Sequence, residues 1–388
     1  MDVKLYKSIS ELDEEKWNSI VGRNRIICTY RYLKAVEGSG INDCRYYYPV
    51  VYDGERIVAH ACVYSISTEL DLFAQGAPKR LIDLIRKRWK RFFVLRSLEC
   101  GTPVELGTTM SFAEGIDEKK ALGLIIQEVE RLAKELKINT LLFRDFYDDQ
   151  TPFFDHLEEA GYLKIHNLQN TKLRIDWDTY EEYLGAMRSQ YRCKIAKRME
   201  KFKRGNISVR VMKDFAEHAE DLKALWTKVH ENAKEYTREV LDISFFENID
   251  KYLGDKSGII LMEKGDIPVG CAILLFDEET LVSMYYGLDY KYNEEYCVYF
   301  NLLYKTVEVA IEEGMKEVDF GITTLVPKKD IGAEVVPLSM YMKHTNPLLD
   351  KIIPPLFDMM TPQDKELSRY VYKKTGKKKP VEDVVLEI

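Results

Sequence analysis

The stretch LVSMYYGLDYKYNEEYCVYFNLLYKTVEVAIEEGMKEVDFGITTLVPKKDIG, Leu281–Gly332, decides the fold. Its apolar, β-rich opening predicts a strand over Leu281–Gly287, and a polar turn then leads into a helix over Tyr296–Glu313. Gly314 stops that helix. A second short strand over Glu317–Phe320 runs into a loop carrying Lys328 and Lys329. A strand, a helix N-terminus beside its C-terminal end and a returning strand make a splayed crevice. Such a crevice suits an activated acyl group and the amine that attacks it.

Working outward, the same order of elements occurs twice. In the first half, β-rich runs flank Asp53-Gly54, a hairpin signal, with IVAHACVY after the turn. A helix over Glu118–Leu136 and a strand over Thr140–Phe146 follow, then a helix over Thr151–Ala160. In the second half a long basic helix is expected over Thr179–Lys203, then helices over Phe215–Tyr236 and Ile243–Leu253. A second hairpin turns at Lys264-Gly265-Asp266, followed by PVGCAILL. The halves therefore read as a divergent internal duplication, with Glu69–Gly115 inserted in the first. The fold class is α+β, with two units at residues 1–170 and 171–371 and a charged tail at 372–388.

Composition bounds the function classes. A charge of -7 with 31% charged and 46% hydrophobic residues describes an ordinary globular protein and argues against a general nucleic-acid coat. The opening MDVKLYKSISELDEEKW has no apolar core of a secretory signal, and no apolar run reaches about 18 residues. A cytoplasmic location is the expectation. The seven cysteines form no CxxC pair and read as reduced thiols, and the six histidines show no metal-ligand spacing.

Four local patterns, in this order, carry a family resemblance. They are YLKAVE (Tyr32–Glu37) with Tyr48-Pro49 and the Asp53-Gly54 hairpin; YEEYL continuing as MRSQYRCKIAKRM (Tyr180–Met199); the strand and turn around Gly287; and EVDFG followed by PKKDIG (Glu317–Gly332). Together the chain resembles the tandem GNAT-fold acyltransferases of the FemAB-like and BioF-like group. The resemblance implies two GNAT-like units, each a mixed twisted sheet flanked by helices, with the active crevice in the second and the acceptor half in the first. It implies transfer of an acyl or aminoacyl group to a small-molecule amine, with acyl-CoA, an acyl-carrier protein or aminoacyl-tRNA as donor and no bound cofactor. The chain departs from the family's usual pyrophosphate loop, because LDYKYNEEYCV (Leu288–Val298) lacks glycine. A catalytically silent duplicate that binds a ligand or a partner protein is the alternative.

The candidate residues follow. Asp319 could orient the amine or take its proton, and Lys329 and Lys328 could steady a carbonyl oxygen or phosphate. Tyr285, Tyr286 and Tyr299 could line the pocket, with Tyr286 donating to the leaving group, and Asn301 is a polar residue in an apolar helix. Each of these also suits ordinary packing or a solvated loop. Arg192, which matches the family's arginine, lies in the basic helix 188–204, a candidate docking face for tRNA or a carrier protein. A second basic helix, Ala77–Phe92, could rest on an anionic membrane surface or an RNA backbone.

Overall fold

The computed structural model describes residues 1–69, 84–85, 87–88, 94–233, 238–322, 324–361 and 363–373. The expected helix over Ala77–Phe92 and the tail beyond residue 373 lie largely outside them.

Two mixed sheets organise the described residues. The first has nine strands, running Ser111–Phe112, Arg56–His60, Arg45–Asp53, Val63–Glu69, Val94–Cys100, Thr140–Tyr147, Leu338–His344 and Leu163–His166, with Asp2–Tyr6 also paired to Arg45–Asp53. The second has seven, in the order Ser208–Met212, Ser257–Lys264, Ile267–Phe276, Thr280–Leu288, Glu317–Asp319, Asn170–Arg174 and Glu334–Val336. Both hairpins turn where expected, with Gly54 at φ +62° and Gly265 at φ +63°, backbone that favours glycine. Each sheet contains one parallel pair, Val94–Cys100 with Thr140–Tyr147 and Thr280–Leu288 with Glu317–Asp319. A long helix bridges each, Glu118–Leu136 in the first and Val298–Glu312 in the second, as a parallel crossover requires.

The sheets exchange strands. Asn170–Arg174 leaves the first sheet and inserts between Glu317–Asp319 and Glu334–Val336 of the second. In return, Leu338–His344 inserts between Thr140–Tyr147 and Leu163–His166 of the first. The strand between residues 338 and 344 therefore belongs to the sheet of the chain's first half. A shared apolar core adds to the exchange. Helix Tyr30–Glu37 packs with helix Ile243–Leu253, and Trp17, Tyr48 and Leu33 share one buried cluster with Phe245, Phe246 and Ile273.

Several element boundaries differ from expectation. The helix expected over Tyr296–Glu313 spans Val298–Glu312, and the polar turn expected before it holds a separate helix, Tyr290–Tyr296, set off by the left-handed conformation of Cys297. The basic helix breaks at extended Met187 and Arg188 into Tyr180–Ala186 and Ser189–Lys203, and Met187 bridges to Tyr372 there. Lys328 and Lys329 lie on a helix, Leu325–Asp330, and not in a loop.

Candidate functional site

The strand Thr280–Leu288 pairs with Glu317–Asp319 at only three positions, the last being Val282 opposite Asp319. The pairing stops there because Glu317–Asp319 ends, while Thr280–Leu288 runs on to Leu288. A bulge sits just beyond. Ser283 opposes Leu274 and Tyr285 opposes Ile273, so Met284 is the extra residue. The bulge sends neighbouring side chains to different sides. Tyr286 packs with the apolar cluster that contains helix Val298–Glu312, whereas Met284 and Tyr285 pack with the core shared by the two halves.

On the helix side the gap is lined by hydroxyls. Tyr286 Oη lies 3.3 Å from Thr306 Oγ1, and the threonine gives its own proton to Leu302 O, so Tyr286 is the donor of that pair. Tyr299 Oη meets Thr324 Oγ1 at 2.9 Å. Ser283 is 2% exposed; its hydroxyl lies beside the Tyr286 phenol but makes no well-formed hydrogen bond among the described residues. A buried orphan hydroxyl costs stability unless something else meets it.

On the other side lies an acidic crevice between the two halves. Asp319 Oδ2 accepts from Asn170 Nδ2 at 2.8 Å and from Tyr147 Oη at 3.4 Å, while Oδ1 accepts from Gly321 N at 2.9 Å. Lys172 Nζ stands 4.0 Å from Asp319, ion-paired to Glu317 and stacked over the Tyr147 ring. Glu105, on the loop after strand Val94–Cys100, is half-buried. Burial first, then the neighbouring Asp319, pushes its carboxyl up to about 8, although Leu106 N donates to it at 3.0 Å. Glu239 is also raised by burial, and Tyr285 Oη lies 3.0 Å from its Oε1 and 3.2 Å from Val104 O. Among the described residues neither Glu105 nor Glu239 has an ion-pair partner.

A buried charge network underlies this crevice. Glu99 accepts from Ser97, Tyr64, Arg144 and Arg238, with Arg238 at 2.5 Å. Burial opposes its ionisation, but Arg238 and Arg144 hold its carboxyl at about 2. Arg144 Nε also meets Asp145 Oδ2 at 2.9 Å, and Asn167 Nδ2 donates to Asp145 Oδ1 at 2.5 Å. The duplication is visible here at the level of single residues. Asp145-Phe146 lies near the end of strand Thr140–Tyr147 and Asp319-Phe320 at the end of Glu317–Asp319, and each aspartate takes a hydrogen bond from an asparagine at the strand exchange.

The remaining candidates fall elsewhere. Lys328 Nζ donates to the carbonyls of Phe320, Gly321 and Ile322 at 2.7, 3.0 and 2.9 Å, clasping the turn after Asp319. Burial lowers it to about 7 against the opposing pull of Asp319. All its donors serve the backbone, which corrects the expectation that it faces a substrate oxygen. Lys329, 1% exposed, serves the C-terminal segment through Asp364 and Glu366. Its expected catalytic place is corrected likewise. Asn301 is buried and donates to Cys297 O, closing the helix start. Arg192 gives Nη1 to Met187 O and borders a cavity of about 450 Å³ with Arg188, Ser189, Gln190 and Lys373, apart from the residues that line the gap. At the missing phosphate loop, Asp289 caps helix Tyr290–Tyr296 and Asn293 Oδ1 accepts from Tyr299 N. Protein groups thus occupy amides that a diphosphate would take.

Glu105, Glu239, Glu99, Arg144 and Arg238 were missed from the sequence. They are spread over 140 positions of ordinary charged residues, and only the fold gathers them.

Comparison with known proteins agrees with this architecture. The family model described as FemAB-like, peptidoglycan biosynthesis/recognition, matches residues 8–324. Two Mycobacterium tuberculosis sequences, provisionally named 8-amino-7-oxononanoate synthase 2, are 26% identical over 323 residues. That match covers 81% of this chain but 42% of theirs, so the chain spans less than half the length of these relatives. The crystal structure of FemX superposes with a TM-score of 0.56 at 15% identity, covering 91% of this chain and all of FemX. A tandem GNAT protein from the clavulanic acid biosynthesis pathway superposes at 0.52 with 10% identity, covering 89% and 99%. Those two likenesses establish a shared tandem GNAT fold. The chain belongs to the FemAB-like family.

Proposed function

We propose that the protein is an N-acyl- or aminoacyltransferase in which an amine attacks an activated ester or thioester directly. The observation that carries this reading is that the parallel pairing ends at Val282 and Asp319 while Thr280–Leu288 runs on, with the buried Ser283 hydroxyl, beside the Tyr286 phenol, as the next residue along it. An acyl carbonyl placed there would accept from Ser283, and the same hydroxyl would steady the tetrahedral oxyanion. The amine approaches from the acidic side. It arrives as an ammonium, and attack requires its neutral form, so a carboxylate must take the proton. Glu105 is the group best matched to that task near neutral pH, and Asp319 and Glu239 hold the cation beside it. The new C–N bond forms as the C–O or C–S bond to the donor breaks; Tyr286, on the hydroxyl side, is placed to protonate the leaving atom, and the second proton shed by the attacking nitrogen restores the Tyr286 phenol.

The occupied amides at Asn293 favour a donor that is not anchored by a diphosphate at that helix, which supports aminoacyl-tRNA or a carrier protein over free acyl-CoA. Exposed Lys197 and Lys203 on helix Ser189–Lys203 offer a basic docking face for either. A thermal-shift and binding series with aminoacyl-tRNA, an acyl-carrier protein and acyl-CoA tests the reading. Salt-sensitive stabilisation by one of the first two is expected. If none of the three binds, the ligand- or partner-binding alternative takes its place.

A further inference from the structure

The crevice between the two halves is short of positive charge. Glu99 is answered by Arg144 and Arg238, Asp145 by Arg144, and Glu317 by Lys172. Lys172 reaches Asp319 only at 4.0 Å, and Lys328 commits its ammonium to three carbonyls. Glu105 and Glu239 are left over, half-buried and without an ion-pair partner among the described residues. An uncompensated buried carboxylate is costly, and the crevice answers by keeping a proton on Glu105, which titrates at about 8. Asp319 bears on Glu105 more strongly than Glu239 does, so Glu105 lies nearer to the strand end and Glu239 further from it.

Tyr32, on helix Tyr30–Glu37, is an independent sign of a missing occupant. It is 0% exposed, and its phenol ends beside Thr102 and Glu105 without a well-formed hydrogen bond among the described residues. Thr102 is already engaged, because its hydroxyl donates to Glu105 O at 3.0 Å and accepts from Glu105 N at 3.2 Å. A buried phenol oxygen of this kind costs stability unless a further donor meets it. The Tyr285 phenol has one proton for two acceptors, Glu239 Oε1 at 3.0 Å and Val104 O at 3.2 Å. The crevice therefore lacks N–H donors as well as positive charge. No three carboxylates, histidines or cysteines among the described residues converge closely enough to hold a metal ion. The free carboxylates are thus spaced for separate organic cations.

We propose that this crevice binds an amine with two cationic centres, an alkane diamine being the simplest. One ammonium lies between Asp319 and Glu105, and the other is held by Glu239 and the Tyr285 phenol. That the first ammonium becomes the acyl acceptor rests on the transfer reading above; the binding of the dication does not. Isothermal titration of the full chain, without any donor, tests the proposal with putrescine against butylamine at matched ionic strength. Putrescine should bind about tenfold tighter or better, the size expected of one further charge-assisted hydrogen bond. At pH 7 it should also displace the proton from Glu105, read as a heat that depends on the buffer. In Glu239→Gln, folded as judged by its melting temperature, the two amines should bind within about twofold of each other. Equal affinities in the wild type, no binding of either amine, or a folded Glu239→Gln variant that keeps the full preference would each overturn the proposal. Putrescine binding with no transfer from any donor would overturn the transfer reading and leave this one standing. Transfer to butylamine and putrescine with equal kcat/KM would do the reverse.

Discussion

Asn170 Nδ2 lies 2.8 Å from Asp319 Oδ2, and the two residues come from strands that the chain exchanges between its sheets. The bond ties the site to the exchange itself. Asp319 marks the last parallel pair before the strands part, and Asn170 opens the strand that crosses over from the first half. Asn170→Ala should leave that carboxylate oxygen with only the long contacts from Tyr147 and Lys172. A loss of about 1–3 kcal/mol in urea unfolding is expected. Unchanged stability would mean that the crossing strand is held by its backbone pairing alone.

Ser283→Ala separates a site residue from a packing residue by which property it changes. The hydroxyl has only an imperfect approach to the Tyr286 phenol to lose, so the variant should stay within about 1 kcal/mol of wild type. Transfer should fall about 100-fold if Ser283 meets the oxyanion. A lower melting temperature with normal transfer would assign the hydroxyl to the fold.

Glu105 makes a pH prediction. Its folded carboxyl titrates at about 8, above the ordinary glutamate value of ~4.3. Between those pH values the folded state holds the extra proton, so stability falls as pH rises through the window. Glu105→Gln cannot ionise and should be more stable than wild type at pH 9, by roughly 2 kcal/mol after allowance for solvent contact. At pH 4 the two should match. Transfer by the wild type should climb towards pH 8 and level off, and the variant should lose that rise. Parallel stability profiles would remove Glu105 from the crevice chemistry.

The two lysines should behave differently. Lys328→Met strips three carbonyls of a buried donor and should cost about 2–4 kcal/mol. Lys329→Met should release the segment 363–373 with a smaller loss, because Asp364 and Glu366 can turn to water. Faster protease cleavage within that segment, with the rest of the chain resistant, is the expected signature. Equal resistance in the variant and wild type would show that Arg369 and Tyr372 suffice to hold it.

Much of the fold was legible in the sequence because short-range physics sets it. Glycines at Gly54, Gly265 and Gly314 occupy backbone that glycine favours, and helix Glu118–Leu136 has both its boundaries where periodicity puts them. The strand exchange was not legible. Asn170–Arg174 and Leu338–His344 alternate in the same way whichever sheet receives them, and partner choice lies in packing distant in sequence. The strands Thr280–Leu288 and Glu317–Asp319 were readable from one continuous stretch. The acidic crevice was not, because Glu105 and Glu239 meet only across the two halves. Lys328 and Lys329 misled for a related reason: adjacency in sequence says nothing about two ammonium groups that serve different partners.

The central claim is that acyl transfer occurs in the gap between strands Thr280–Leu288 and Glu317–Asp319. Single-turnover transfer of a labelled aminoacyl or acyl group from tRNA, carrier protein or CoA to a lysine-containing peptide tests it most directly. The wild type should move label to the amine from at least one donor, and folded Ser283→Ala and Glu105→Gln variants should each be slowed. No transfer from any donor, or transfer that both variants perform at the wild-type rate, would contradict the account.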